Sequence, residues 1–260
     1  MKYFKLVYLT AGLAAALWNA VPALAACENP VGGSEHSVGL PSPVYQGIAT
    51  AFAESPVVMA QEAVLHRHAY CAVAYEPSVT RTSPACTTDA LCVETFAVSL
   101  LFEGPLRSQP RTVSGTYRTY LSTTGSESAH FVADPLDTTT FGKTTQLNDA
   151  DSGKVMAALA GFGLTDTTGL LGVDHLFAGE IRCDRAVAPE ATAECAVTSG
   201  EKEFTASVED AATLNDILLR AGALVDDGAV GVEKAAASLV TCSRVVYPGA
   251  IAHCSLLIEN

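Results

Sequence analysis

An internal repeat is the feature of this 260-residue chain that most constrains its fold. A shift of 59 residues aligns Lys154–Cys195 with Thr213–Cys254 without a gap and gives thirteen identities in 42 positions. A match this high over a segment this long indicates a duplicated structural unit. The identical pairs include four cysteines, two arginines and two prolines: Cys183 and Cys242, Cys195 and Cys254, Arg185 and Arg244, Pro189 and Pro248. The C-terminal half therefore contains two copies of one unit.

The spacing of the repeated cysteines predicts a β-hairpin in each copy. Cys183 and Cys195 are twelve residues apart with Pro189 at the midpoint, and Cys242 and Cys254 have the same spacing. Residues symmetric about the turn of an antiparallel hairpin face each other across the two strands, close enough for a disulfide. We therefore predict the disulfides Cys183–Cys195 and Cys242–Cys254.

One face of each predicted hairpin is the same in both copies. Strand alternation places Arg185 and Arg244 on the cysteine side, and the residues of the opposite side differ between the copies. We interpret the constant side as the one that packs on its own module, with the arginines contacting carboxylates such as Asp174 and Glu233. The alternative is that Arg185 and Arg244 anchor an anion.

Upstream of each hairpin, the two copies share a strand and a helix pattern. Apolar residues recur at helical spacing, and a glycine follows each helix at a position that suits a left-handed C-terminal residue. The strands are predicted at Thr144–Leu147 and Phe204–Val208, the helices around Val155–Phe162 and Leu214–Ala221, and the helix ends at Gly163 and Gly222. Each copy is therefore a predicted β-α-β-β module, the first over residues 144–200 and the second over residues 201–260.

Residues 26–143 lack this repeat and are predicted to form a β-rich domain of their own. Val44–Ala53 suits a short helix, whereas Val57–Tyr75, Cys92–Phe102 and Thr112–Ser122 have strand-like length and composition. The predicted fold class is α+β and β-rich, with this N-terminal domain followed by two tandem β-α-β-β modules, each closed by a disulfide hairpin.

The four remaining cysteines allow three pairings. We favour Cys86–Cys92 as a local loop disulfide and Cys27–Cys71 as a tether of the N-terminus. Cys71–Cys86 is the main rival. None of these cysteines has the two-residue spacing of a zinc knuckle or a thioredoxin-type site.

An export signal is predicted over residues 1–25. Two lysines precede the apolar run Leu6–Trp18, and Ala23-Leu24-Ala25 supplies small residues for cleavage. Leu24-Ala25-Ala26-Cys27 also fits a bacterial lipobox, in which Cys27 would be acylated. The expected location is periplasmic or extracellular, and the alternative is an outer-membrane lipoprotein. No later segment is long and apolar enough to cross a bilayer, so membrane association is expected only if Cys27 is lipidated.

The charge of the chain argues against a nucleic-acid partner. It contains 28 acidic and 15 basic side chains, for a formal net charge of −13. A broad phosphate-binding surface needs the opposite balance. The expected partner is a protein or an envelope component.

The one chemically suggestive pair is His66 and His68. Within the predicted strand Val57–Tyr75, both imidazoles would point to one face and could supply two ligands to a divalent metal. Nothing in the spacing selects a third ligand, and the chain contains no nucleophile elbow, phosphate loop or dinucleotide motif. The sequence therefore predicts an exported, disulfide-stapled repeat protein that acts by binding, as an inhibitor or at the envelope, rather than by catalysis and without a cofactor. The alternative is a metal-dependent hydrolase or metal-binding protein centred on the two histidines.

Overall fold

The computed structural model describes residues 39–86, 92–105, 108–121, 127–167, 173–186, 192–200, 202–225, 231–245 and 251–259. These ranges form a mixed α+β fold with four helices, fifteen strands and three five-stranded sheets. The predicted signal segment 1–25, and with it the alternative acylation of Cys27, lies outside the described residues.

The N-terminal unit consists of two helices and one antiparallel sheet. Its elements are α1 (Ser42–Ala53), α2 (Pro56–Arg67), β1 (Cys71–Ala72), β2 (Ser78–Arg81), β3 (Cys92–Glu103), β4 (Arg111–Leu121) and β5 (Glu127–Ala133). The strand order is β1-β3-β4-β5, and β2 also pairs with β3. Phe96 and Phe102 of β3 are buried in one cluster with Phe52 of α1 and Val58 of α2. Both helices therefore cover the same face of the sheet.

The predicted elements of this unit are confirmed except for one. The structure contains the helix expected at Val44–Ala53 and the two strands expected near 92–102 and 112–122. The strand interpretation of Val57–Tyr75 is wrong, because most of this segment forms α2. Its buried residues include Val57, Gln61 and Val64, and this spacing places them on one side of a helix. The helix begins at Pro56, and proline is favoured at the first position of a helix.

The C-terminal unit contains two sheets and two helices. The first copy provides β6 (Gly142–Gln146), α3 (Asp149–Gly161), β7 (Thr165–Thr167), β8 (Val173–Ala178), β9 (Glu180–Ala186) and β10 (Ala193–Ser199). The second copy provides β11 (Lys202–Thr205), α4 (Val208–Ala221), β12 (Leu224–Val225), β13 (Val232–Ala237), β14 (Leu239–Val245) and β15 (Ile251–Glu259).

The two copies exchange strands. One sheet has the order β6-β15-β14-β8-β7, so the hairpin of the second copy lies between strands of the first. The other sheet has the order β11-β10-β9-β13-β12, which places the hairpin of the first copy between strands of the second. This arrangement differs from two successive modules with a sheet each, since both sheets contain strands from both copies.

The pairing register makes the exchange symmetric. Arg185 lies opposite Glu233, and the equivalent residues 59 positions away, Arg244 and Asp174, lie opposite each other in the other sheet. The flanking strands obey the same rule, as in the pairs of β10 with β11 and of β15 with β6. The two sheets are therefore related by an internal pseudo-two-fold.

The links between strands explain the exchange. Only Gly179 separates β8 from β9, and only Ser238 separates β13 from β14. The Gly179 N–H donates to Thr198 O at 2.6 Å, and the equivalent Ser238 N–H donates to Leu257 O at 2.8 Å. A single-residue link is too short for a reversal into a neighbouring antiparallel strand, which requires a hairpin loop of two or more residues. The chain therefore continues from one sheet into the other.

Helices α3 and α4 have local signals at both ends. Asn148 Oδ1 accepts the Asp151 N–H at 2.9 Å, and Ser207 Oγ accepts the Asp210 N–H at 3.2 Å, as N-terminal caps do. At the other end, Gly163 and Gly222 have φ values of 72° and 81°, which a glycine adopts at low cost. The predicted helices and their glycine ends are confirmed.

The structure contains three disulfides among the described residues: Cys86–Cys92, Cys183–Cys195 and Cys242–Cys254. Both hairpin pairs stand directly opposite each other in register, as predicted. Cys71 is also disulfide-bonded, which with the Cys86–Cys92 bond eliminates the rival Cys71–Cys86 pairing. The predicted partner Cys27 lies outside the described residues.

Helix α2 connects the two units. Its residues Ala60 and Val64 are buried in one cluster with Leu239 and Leu257 of the C-terminal unit. At its end, Arg67 Nη2 forms an ion pair with Glu259 Oε1 at 2.9 Å. No helix within the described ranges is long and apolar enough to cross a membrane.

Candidate functional site

His66 and His68 do not share a face. His66 occupies the last turn of α2, and His68 is the residue that caps the C-terminal end of this helix. Residues two positions apart on a helix point in nearly opposite directions, since each residue turns by about 100°. The pair is therefore not the two-ligand platform that a strand would have made.

Aromatic rings contact both histidines. The ring of His66 lies 6.0 Å from that of Phe102, and burial lowers the pKa of His66. The ring of His68 stacks on Phe141 at 4.5 Å, and its Nε2 lies 3.8 Å from Glu259 Oε1. His68 therefore lies at the junction between the N-terminal and C-terminal units, whereas His66 packs within the N-terminal unit.

The described residues contain no group of three or more His, Cys, Asp and Glu side chains that could hold a metal ion. Glu259 is the carboxylate next to His68, whereas the ring of His66 lies near that of Phe102. The metal assignment thus stays a prediction without a ligand set in this part of the chain.

The repeated arginines lie across from carboxylates of the other copy. Arg185 Nη1 is 3.8 Å from Glu233 Oε2, and Arg244 lies opposite Asp174 in the strand register. Both carboxylate positions were expected, but they belong to the exchanged copy rather than to the arginine's own module. The cysteines of the same hairpin side are buried.

One side of the sheet in the N-terminal unit faces away from α1 and α2, which pack on the side of Phe96 and Phe102. We call this surface the open face. In register order it consists of Ser78 and Thr80 of β2; Val93, Thr95, Ala97, Ser99, Leu101 and Glu103 of β3; Thr112, Ser114, Thr116, Arg118 and Tyr120 of β4; and Ser128, His130 and Val132 of β5.

The open face is uncharged over most of its area. Its side chains are mainly hydroxyl-bearing or small, and the charged ones are Arg118 near one end and Glu103 at the other. Asp134, which follows β5, accepts the Ser114 hydroxyl at 2.7 Å at the edge of this face. Val93 and Leu101 remain 40% and 42% exposed, and Ala97 between them is exposed as well. This composition contrasts with a chain whose net charge is −13.

Polar and aromatic groups meet at one end of the open face. Arg118 lies between Thr95 and His130 in register, and the ring of His130 makes an edge contact with Tyr120 at 5.9 Å. Arginine, tyrosine and histidine are residues that bind well to a partner, because each combines a flat apolar body with hydrogen-bonding groups.

Sequence reasoning identified β3 and β4 but not the open face. The alternation in Thr112–Ser122 contained the signal, because every second residue there is Thr, Ser, Arg or Tyr. The alternation does not show where the helices lie, and the position of the helices decides whether the second face of a sheet is covered or exposed.

The chain was also compared with known proteins. No protein family, no curated protein and no solved structure matches it.

Proposed function

We propose that this protein is an exported binding protein that recognises a protein partner on the open face. The observation that carries this proposal is that the centre of this face bears no charged side chain in an acidic chain: Ala97 is flanked by Thr80, Thr95, Ser99 and Thr116. The cores of protein interfaces are depleted in charged residues and enriched in Tyr and Arg. Tyr120 and Arg118 supply these two anchors on the open face.

The size of the open face suits such a partner. A twelve-residue strand such as β3 is about 40 Å long at about 3.3 Å per residue. Four strands at about 4.8 Å spacing span about 15 Å, which makes an area of about 600 Å². This is close to the roughly 800 Å² that each partner buries in a standard interface. The open face is therefore large enough to form most of one side of a specific interface.

The disulfides support export. Proteins that mature in the periplasm or outside the cell keep such bonds, whereas cytosolic thiols stay reduced. The disulfide bonds also suit a protein that binds its partner outside the cytosol. A binding role in the cell envelope or the medium is consistent with both points.

Site-specific crosslinking tests the proposal. A photoreactive amino acid is placed at Ala97, in the centre of the open face, and in a matched protein at Thr205, an exposed strand residue of β11. Both proteins are expressed with their natural leader in the native host. We expect a covalent adduct to one protein at position 97 and none at position 205. Equal labelling at both positions, or no protein adduct at position 97, would refute the proposal.

Two substitutions then measure the contribution of the face. Ala97→Glu introduces an unpaired charge that binding would bury, so the affinity for the crosslinked partner should fall at least about tenfold. Ala97→Thr, which keeps the small hydroxyl-bearing character of the neighbours, should leave the affinity within about threefold. An Ala97→Glu protein that folds and binds as tightly as the wild type would contradict the assignment.

A further inference from the structure

The outer edge of β5 presents unpaired backbone groups. β5 is the last strand of the N-terminal sheet, and its one strand partner in the described part of the chain is β4. The N–H of Asp134, just after β5, donates to Ser114 O of β4 at 2.8 Å. Since the backbone groups of successive strand residues point to opposite sides, the N–H and C=O groups of Ala129, Phe131 and Ala133 point away from β4. Among the described residues, none of these six groups has a hydrogen-bond partner.

The segment that follows β5 leaves this edge open. Arg111, at the start of β4, donates hydrogen bonds to Asp137 at 2.9 Å and to Thr140 at 2.8 Å. The chain after β5 therefore continues beside β4 instead of turning outward over the edge. Ser128 and Ala129 of β5 are exposed.

The other outer strands have features that discourage strand pairing. Lys143 of β6, Lys202 of β11 and Arg81 of β2 place a positive charge on three of them, and β1, β7 and β12 are only two or three residues long. Charged side chains, especially lysine, and short length are common protections of a sheet edge. β5 has seven residues without Lys, Arg or Pro, and its one charged residue, Glu127, stands at its first position. Among the described outer strands, β5 is therefore the one that is long enough to pair and lacks these protections.

We propose that β5 pairs antiparallel with β5 of a second copy of this chain and forms a reversible dimer. A two-fold axis at Phe131 places Ala129 opposite Ala133 of the second copy. All outward groups of both strands are then joined in about six hydrogen bonds, within the range of about 10 ± 5 in specific interfaces. A second copy suits this edge because a two-fold contact satisfies both free edges at once.

The side chains in this register are compatible with two acidic copies. Ser128 lies opposite Asp134 of the second copy, and His130 lies opposite Val132, so no like charges face each other across the two strands. The net charge of −13 on each chain still opposes association at a distance. Salt screens this repulsion, with a Debye length of about 8 Å at physiological ionic strength. The dimer should therefore become stronger as salt is added, whereas a contact made by ion pairs would become weaker.

The dimer joins the two open faces. The two-fold axis of an antiparallel edge pair is perpendicular to the sheet, so both open faces lie on the same side of one continuous sheet. Two faces of about 600 Å² then form one surface of about 1,200 Å². This consequence for partner binding rests on the proposed function, whereas the dimer itself does not.

Sedimentation velocity of the mature protein from about 1 μM to about 500 μM, in low and high salt, tests this proposal. We expect a monomer–dimer equilibrium that shifts toward the dimer in high salt. Ala129→Pro removes one outward N–H from each copy and should weaken association at least about tenfold. An edge strand tolerates a proline whose N–H is outside the ladder, so circular dichroism should show an unchanged fold. Ala129→Lys, which keeps the backbone donor and adds an edge charge, should also weaken association at least about tenfold.

Two matched variants serve as controls. Thr205→Lys places the same charge on the exposed position of β11 and should leave the dissociation constant within about threefold. Ala97→Glu, in the centre of the open face, should do the same, which separates the dimer from partner binding. A protein that stays monomeric at the highest concentration in high salt, or an equal effect of Ala129→Lys and Thr205→Lys, would overturn the proposal.

Discussion

The strand exchange makes a sharp prediction about Leu218 of α4. This side chain is 1% exposed and belongs to a single cluster that also contains Leu159, its counterpart in α3. Leu218→Ala should lower the free energy of unfolding by about 2–5 kcal/mol, the range for a buried leucine whose cavity cannot collapse. This is a large part of the roughly 5–15 kcal/mol that stabilises a typical protein.

The location of the loss distinguishes exchanged from independent repeats. Because both sheets contain strands of both copies, they should open together. Hydrogen exchange should show that the most protected amides of α3 and α4 lose protection by the same factor, about a hundredfold for a loss of about 3 kcal/mol. Urea unfolding followed by circular dichroism should stay a single transition for this unit.

A matched control is available in the same copy. Leu224 of β12 is 59% exposed, so Leu224→Ala should change stability by less than about 0.5 kcal/mol. If Leu218→Ala lowered protection in residues 202–259 and left residues 142–199 unchanged, the two copies would be independent and the reasoning from the exchange would be refuted.

Two further predictions concern local structure. A Cβ at Gly142 would collide with the carbonyl oxygen of Ile258, so Gly142→Ala should destabilise the fold by more than about 1 kcal/mol. A Cβ at Gly47 of α1 would meet open space, so Gly47→Ala should stabilise the fold by up to about 1 kcal/mol. Thermal or urea unfolding measures both changes. Hydrogen bonds from Thr139 hold the pKa of Asp137 below its usual value. This shift stabilises the folded state at pH values above the usual pKa, and the stabilisation is lost as the pH falls through the lowered pKa. Thr139→Val should raise this pKa in a carboxyl NMR titration, and an unchanged value would contradict the assigned cause.

Local signals predicted a large part of the C-terminal unit. The twelve-residue spacing of Cys183 and Cys195 requires no long-range information, because a tight turn at its midpoint already brings the two residues face to face. The ends of α3 and α4 were equally predictable from local sequence, because Gly163 and Gly222 adopt the left-handed conformation at the helix terminus itself.

The segment around His66 and His68 shows where prediction from the local sequence fails. A run rich in Val, Ala and Leu is compatible with a buried helix and with a buried strand, and periodicity alone does not separate them. Packing against both the N-terminal sheet and the C-terminal unit stabilises α2 as a helix. In a helix the two imidazoles point in different directions, whereas in a strand they would share one face.

The amino-acid sequence by itself determined that the C-terminal half is duplicated, which cysteines of its hairpins pair, and where its two helices end. These features depend on contacts between residues close in the chain. Only the tertiary structure decided that Gly179 and Ser238 pass each strand into the other sheet, and that α1 and α2 pack on the same face of the N-terminal sheet. Strand partners and helix positions arise from the three-dimensional packing of distant segments, and residue periodicity contains no information on which distant segment a face will meet.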